Sequence, residues 1–221
     1  MVERLCWHLE PEKGWMNDPN GLTFFKGRYH AFFQHNPHAP VWDTMHWGHA
    51  VSDDLIHWEE LPIALYPTEP YENFGGCYSG SAVIKDDVLY LIYTTVSKEL
   101  GQTQSVAMTR DGVHFEKYAG NPVIDHYPED GSPDFRDPKV IKRGDTYHMV
   151  LASGKDGCAR VLHYRSADLL HWEYAGVLFE GCEYGEIFEC PDLFSAGRAL
   201  GAQRFLFAEP FSQGSVHRRR F

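Results

Sequence analysis

Apolar residues along this chain come in short runs that alternate with polar ones and end at Gly, Asn, Asp or Pro, the period of half-buried β-strands rather than of helices. In the first unit such runs fall near 20–25, 29–34, 45–51 and 58–65, separated by turn formers at Lys26-Gly27 and Ser52-Asp53-Asp54. The plan returns at 81–84, 89–95, 105–109 and 115–118, with Lys85-Asp86-Asp87 as its first turn, and again at 139–142, 146–152, 160–165 and 172–178. A fourth unit opens at 189–194 and continues at 205–208. Its pattern then dissolves into Ser212-Gln213-Gly214-Ser215 and a basic end, Arg218-Arg219-Arg220, which reads as a cut or altered terminus.

The repeat has its own punctuation. Units open on Asn17-Asp18-Pro19-Asn20-Gly21, Tyr78-Ser79-Gly80-Ser81, Phe135-Arg136-Asp137-Pro138 and Phe188-Glu189-Cys190-Pro191, and the first three close on an aromatic residue after a His. Those aromatics, Trp58, Phe115 and Trp172, are spaced 57 residues apart. A fixed period of four short strands predicts an all-β radial array, a β-propeller, with blades at about 15–70, 71–128 and 129–182 and a partial one at 183–221. Three and a half blades leave sheet edges unpaired, so the chain reads as one truncated N-terminal propeller domain.

Hydrophobic residues make up 43% of the 221 positions and aromatics 14%, in keeping with a globular β-protein. No run approaches the roughly 20 apolar residues that cross a bilayer, and the first residues lack the pattern of an export signal. The net charge of -11 argues against nucleic acid and anionic membranes as partners. Cys6, Cys77, Cys158, Cys182 and Cys190 form an odd set without a CxxC pair, from which neither a disulfide framework nor a zinc site follows, and a reducing, cytoplasmic setting is expected. No oligomeric state can be read from the chain.

The recurring acids carry the candidate chemistry. Glycoside hydrolysis needs two carboxyl groups across the scissile carbon, one ionised and one protonated at the same pH. Asp18, Asp137 and Glu189 sit at or beside the openings of three units, where inner strands of a propeller converge on one pocket. Crowding there raises the pKa of at least one of them. With the prolines aligned, Glu189 is one residue out of step with Asp18 and Asp137, so a bulge or shifted register is needed to turn it inward.

Trp15-Met16-Asn17-Asp18-Pro19-Asn20-Gly21, Phe135-Arg136-Asp137-Pro138 and Glu189-Cys190-Pro191 resemble the three signature motifs of glycoside hydrolase family 32, the β-fructofuranosidases, over about 8–194. The likeness is greatest to the bacterial sucrose-6-phosphate hydrolase and sucrase branch. It implies a five-bladed propeller followed by a β-sandwich, which is absent here, and hydrolysis of terminal β-fructofuranosides with retention, without metal or other cofactor. By the same resemblance Asp18 is the nucleophile, Glu189 the acid/base and Asp137 the transition-state stabiliser. Trp15, Met16, Asn17, Gln34, Trp42, Tyr78, Ser79 and Arg136 then shape the fructose pocket. The expected partner is a small sugar: sucrose, sucrose 6-phosphate or a short fructan. A fructan hydrolase, a fructosyltransferase and an inactive sugar-binding fragment remain open alternatives.

Other features take plainer readings. His46 and His49, three apart on a strand, point to opposite faces and are expected to pack or hydrogen-bond rather than bind metal. Cys190 is expected as a small buried neighbour of Glu189, and Trp47, Trp58 and Trp172 as core.

Overall fold

The computed structural model describes residues 8–194, which form three successive four-stranded antiparallel sheets. The first holds β1 (Trp15–Phe25), β2 (Arg28–Asn36), β3 (His46–Ser52) and β4 (Glu59–Leu65) in chain order. The second holds β5 (Gly76–Lys85), β6 (Val88–Ser97), β7 (Gly101–Thr109) and the very short β8 (Glu116–Lys117). The third holds β9 (Phe135–Arg143), β10 (Thr146–Lys155), β11 (Cys158–Ser166) and β12 (Glu173–Gly181). Tight hairpins set the register. Lys26 and Gly27, Asp86 and Asp87, and Asp156 and Gly157 all have positive φ, the two-residue geometry whose twist matches paired strands.

The core lies between the sheets. On β6, Leu91 and Tyr93 join Phe32 and Trp47 on one face, while Ile92 between them joins Phe135, Tyr147 and Leu162 on the other. Period-2 alternation in a strand buried on both sides thus binds the middle sheet to both neighbours. The first strands of the three sheets stand together, β1 against β5 and β5 against β9. Gly80 N–H donates to Asn20 Oδ1 (3.3 Å) and Val140 N–H to Ser81 Oγ (3.0 Å), tying these inner strands side by side.

Each sheet turns the same corner before its last strand. Asp54 Oδ1 accepts from the N–H groups of Ile56 and His57, and Asp54 Oδ2 meets His57 Nδ1 at 2.6 Å. Asp111 with His114 and Asp168 with His171 repeat this arrangement bond for bond. Hydrogen bonds from the paired histidine, first of all, hold the Asp54 and Asp111 carboxyls well below the usual range. The recurring His-Trp and His-Phe pairs are therefore corners. Trp47 is buried in the core between the first two sheets and Trp172 packs against the core of the third, as expected, whereas Trp58, expected in the core, is half-buried at the first corner, where it lines an open recess instead.

Three expectations need correction. The inner strands are longer than the hydrophobic runs, because pairing carries each one through its polar opening motif. Residues 189–194 form no named strand: Gly185 and Cys190, both at positive φ (102° and 47°), break the pleat. The expected strand at 205–208 and the basic end lie outside the described residues. Finally, Cys158 and Cys182 are bonded to each other. Ala159 pairs with Gly181 across β11 and β12, so the next positions outward face one another, a proximity that a separation of 24 residues conceals in sequence. This pairing removes the ground for expecting a reducing compartment. No helix among the described residues is long and apolar enough to cross a membrane.

Candidate active site

Every inner strand has a register shift at its candidate residues. On β1 it falls between Met16 and Pro19, around Asn17 and Asp18; on β5 between Cys77 and Gly80, around Tyr78 and Ser79. On β9 the shift faces Val150 to Ala152 and takes in Asp137 and Pro138. Bulges of this kind unpair a residue and re-aim its side chain, here towards the space between the inner strands.

The three acids do converge. Ser79 Oγ donates to Asp18 Oδ2 at 2.7 Å. Cys190 N–H donates to Asp137 Oδ2 at 2.8 Å, and Cys190 Sγ lies 3.8 Å from Asp18 Oδ2. Arg136 Nη2 donates to Glu189 Oε1 at 2.8 Å, while its Nη1 holds Asp134 Oδ1 at 2.6 Å. Residues 18, 137 and 189, far apart in sequence, thus share one hydrogen-bonded cluster.

Two left-handed backbones make this possible. Asp137 (φ 61°) and Cys190 (φ 47°) each precede a proline, and a non-glycine residue held there costs about 1–3 kcal/mol. The twist at Cys190 offsets the one-residue misalignment of Glu189. It presents the Cys190 N–H to Asp137 and leaves the Glu189 carboxylate to Arg136.

The Asp137 carboxyl is raised to about 6. Burial is the largest cause, as the residue is only 7% exposed. The Cys190 N–H and Arg136 oppose the rise, and the charges of Asp18 and Glu189 add to it. Cys190, expected to be buried, is exposed as a residue while its Sγ faces the acids. Desolvation on that side, then Asp137, Asp18 and Glu189, push its thiol up, which keeps it from acting as a thiolate.

The surrounding residues take graded positions. Gln34 is buried and donates to Cys77 O (2.8 Å), bracing β5 immediately before Tyr78. Trp15 Nε1 donates to Asn17 Oδ1 (2.8 Å). Trp42 is exposed and meets Tyr78 edge to face, with ring centroids 6.2 Å apart. Met16 is half-buried on β1, with no polar contact to the acids. His49, by contrast, hydrogen-bonds His30 (3.0 Å) and stacks on Phe32 inside the first sheet interface.

Several supporting residues carried no motif. Gln102 Oε1 accepts from Phe135 N–H (2.7 Å) and from Arg136 Nη1 (3.4 Å). Gln104 Nε2 donates to Phe135 O (2.8 Å), and Thr94 Oγ1 both donates to Gln104 Oε1 and accepts from Asp137 N–H. Glu72, fully buried, takes the Lys117 ammonium, the Tyr93 hydroxyl and the Cys77 thiol behind β5. The available signal was polarity inside strands otherwise made to be buried, at Thr94, Thr95, Thr103 and Gln104.

A cleft of about 440 Å³ is lined by Phe74, Lys98, Gln102 and Asp134, and the last two of these bond the Arg136 guanidinium. A second recess, about 250 Å³, lies at the first corner among Arg28, Asp53 and Glu59, whose charges already pair with one another, and it takes no part in the acid cluster.

Two acids on bulged inner strands and a third on the segment that follows β12 meet in one cluster, and the chain belongs to glycosyl hydrolase family 32, whose N-terminal domain model matches residues 8–216. It is 43% identical over 229 residues to the sucrose-6-phosphate hydrolase of Escherichia coli, covering 97% of this chain and 46% of that protein. To the levanase of Bacillus subtilis (strain 168) it is 45% identical over 203 residues, covering 85% of this chain and 28% of that one. A solved Bombyx mori GH32 beta-fructofuranosidase in complex with sucrose superposes with a TM-score of 0.81 at 43% identity, over 91% of this chain and 43% of that one. The chain spans less than half the length of these relatives.

Proposed function

We propose that this protein hydrolyses terminal β-fructofuranosyl bonds, with sucrose or sucrose 6-phosphate as substrate, by double displacement. The observation that carries the reading is the bonded cluster of Asp18, Asp137 and Glu189 on three separate units. Ser79 occupies Asp18 Oδ2, and Oδ1 has no hydrogen-bond partner among the described residues. Oδ1 is therefore the atom free to attack the anomeric carbon of fructose. As the glycosidic bond breaks, Glu189 delivers its proton to the departing oxygen, and a fructosyl ester forms on Asp18. Glu189 then takes a proton from water, which attacks the anomeric carbon, breaks its bond to the Asp18 oxygen and releases fructose with its configuration retained and Asp18 as a free carboxylate.

Asp137 faces the same space from β9. Its place is on the fructose hydroxyls, where a carboxyl raised to about 6 changes charge within the working range of pH. Arg136 orients Glu189, and Trp15, Asn17, Gln34, Trp42 and Tyr78 line or brace the fructose pocket. The same reading makes the three sheets consecutive blades, 15–70, 71–128 and 129–182, of a five-bladed propeller. Support comes from the shared corner geometry and from inner strands stacked side by side.

The test is release of fructose from sucrose and from sucrose 6-phosphate. Asp18→Ala and Glu189→Ala should abolish it, and early product followed by NMR should be the β-anomer. Activity that survives Asp18→Ala, or an inverted first product, overturns the assignment.

A further inference from the structure

We infer that the cleft beside Arg136 is the seat of the departing sugar, and that Phe74 and Lys98 there select a phosphorylated pyranose over a free one. This inference rests on the β-fructosidase reading above. Glu189 must protonate the leaving oxygen, so the leaving group lies on the Glu189 side of the fructose. Arg136 spans that side, with Nη2 on Glu189 and Nη1 on Asp134, and Asp134 and Gln102 are walls of the cleft. The cleft therefore continues from the acid/base along one guanidinium.

Its lining suits a sugar. Phe74 is 63% exposed, an apolar ring face that water would otherwise cover, and pyranose C–H faces stack on such rings. The backbone that carries the ring is tied down. Phe74 and Gly75 N–H groups both donate to Val96 O (3.2 Å each). Asn73 latches the neighbouring turn, its Oδ1 accepting from Lys98 N–H (3.1 Å) and its Nδ2 donating to Glu99 Oε2 (3.0 Å).

That latch has an electrostatic consequence. Glu99, the nearest acid in sequence, is engaged by Asn73, and Lys98 forms no ion pair among the described residues. Its Nζ rests over the Phe74 ring, 5.9 Å from the centroid. Asp134, the acid in the lining, is held by Arg136. An unpaired ammonium beside an aromatic platform suits a sugar whose phosphate projects past the ring edge.

The experiment uses glucose 6-phosphate and glucose as product probes, titrated by NMR or calorimetry against the protein, with fructose release measured in parallel. Glucose 6-phosphate should bind about 10-fold more tightly than glucose. Lys98→Met should erase that ratio, Lys98→Arg should keep most of it, and Phe74→Ala should weaken both ligands. The kcat/KM ratio for sucrose 6-phosphate over sucrose should fall in step in Lys98→Met. Equal binding of the two probes, no binding of either, or a preference that survives Lys98→Met overturns the inference. Loss of fructose release with the glucose 6-phosphate preference intact would instead overturn the hydrolase reading alone.

Discussion

Replacing Asp137 by Asn should make the folded protein more stable at neutral pH, and the size of the gain follows from its burial. The Asp137 carboxyl, ordinarily at 3.8, is raised to about 6 in the fold. A group whose folded pKa lies above its unfolded value binds more protons folded than unfolded between those two pH values. Stability therefore falls as pH rises through the window, and the loss is complete above about 6. A displacement of about 2 units at about 1.4 kcal/mol each gives a penalty of about 3 kcal/mol at pH 7.5, and almost none at pH 3.5. Asn removes the charge while its amide oxygen still accepts from Cys190 N–H. Urea unfolding of both proteins from pH 4 to 8 should show curves that meet at the acid end and diverge by about 3 kcal/mol, or about 6–12 °C in Tm, at the neutral end. Fructose release should drop in the variant, since the buried charge is kept for the substrate. A gap that is constant with pH, or a wild type more stable at pH 8, would refute the burial argument.

Other expectations can be checked alongside. Ser79→Ala removes the donor on Asp18 Oδ2 and should lower kcat/KM about 10- to 100-fold, the value of a hydrogen bond to a charged group, while Ser79→Thr restores much of it in the same assay. Lys117→Met leaves the fully buried Glu72 carboxylate without its cation and should cost about 3–5 kcal/mol in denaturant unfolding, whereas the double change with Glu72→Gln should recover part of that. Gly80→Ala would place a methyl group 2.1 Å from Ile92 O, a backbone atom that cannot turn aside, so low soluble yield and a depressed Tm are expected. Cys158→Ser with Cys182→Ser should lower stability by about 3 kcal/mol, since the link closes a loop of 24 residues. Thiol titration of the unreduced protein should find neither cysteine free. His46 and His49 are lowered to about 4 and about 3 by burial, so they favour the fold above their unfolded value near 6.5 and oppose it as pH falls.

Much of the architecture was legible because strand period, hairpin turns and corner residues repeat. Ser52, Thr109 and Ser166 each stand two positions before an Asp that wraps a His, a local circuit that needs no distant partner. The acids were legible for the same reason, being tied to unit openings. What escaped was set by contacts between units. Gln102 and Gln104 look like ordinary strand residues until β9 arrives to use them. Cys158 and Cys182 meet only because β11 and β12 pair in one register. Residues 189–194 have the apolar content of a strand, yet left-handed Cys190 takes them out of the pleat.

That last departure explains how one repeat supplies different chemistry at each copy. Asp18-Pro19, Asp137-Pro138 and Cys190-Pro191 occupy corresponding places, and a regular strand would aim all three side chains alike. In the first copy the bulge leaves Asp18 beside Ser79. In the third, positive φ sinks Asp137 until it is 7% exposed. In the fourth, the same twist falls on Cys190, whose N–H then serves Asp137 while the carboxylate one residue earlier meets Arg136. Small backbone differences on a shared scaffold thus separate one partly open carboxylate, one buried carboxyl and one carboxylate held at the cleft. Moving Glu to position 190 by the exchange Glu189→Cys with Cys190→Glu should therefore abolish fructose release although every residue type is kept. Retained activity in that double variant would show that the register at Cys190 is not what positions the acid.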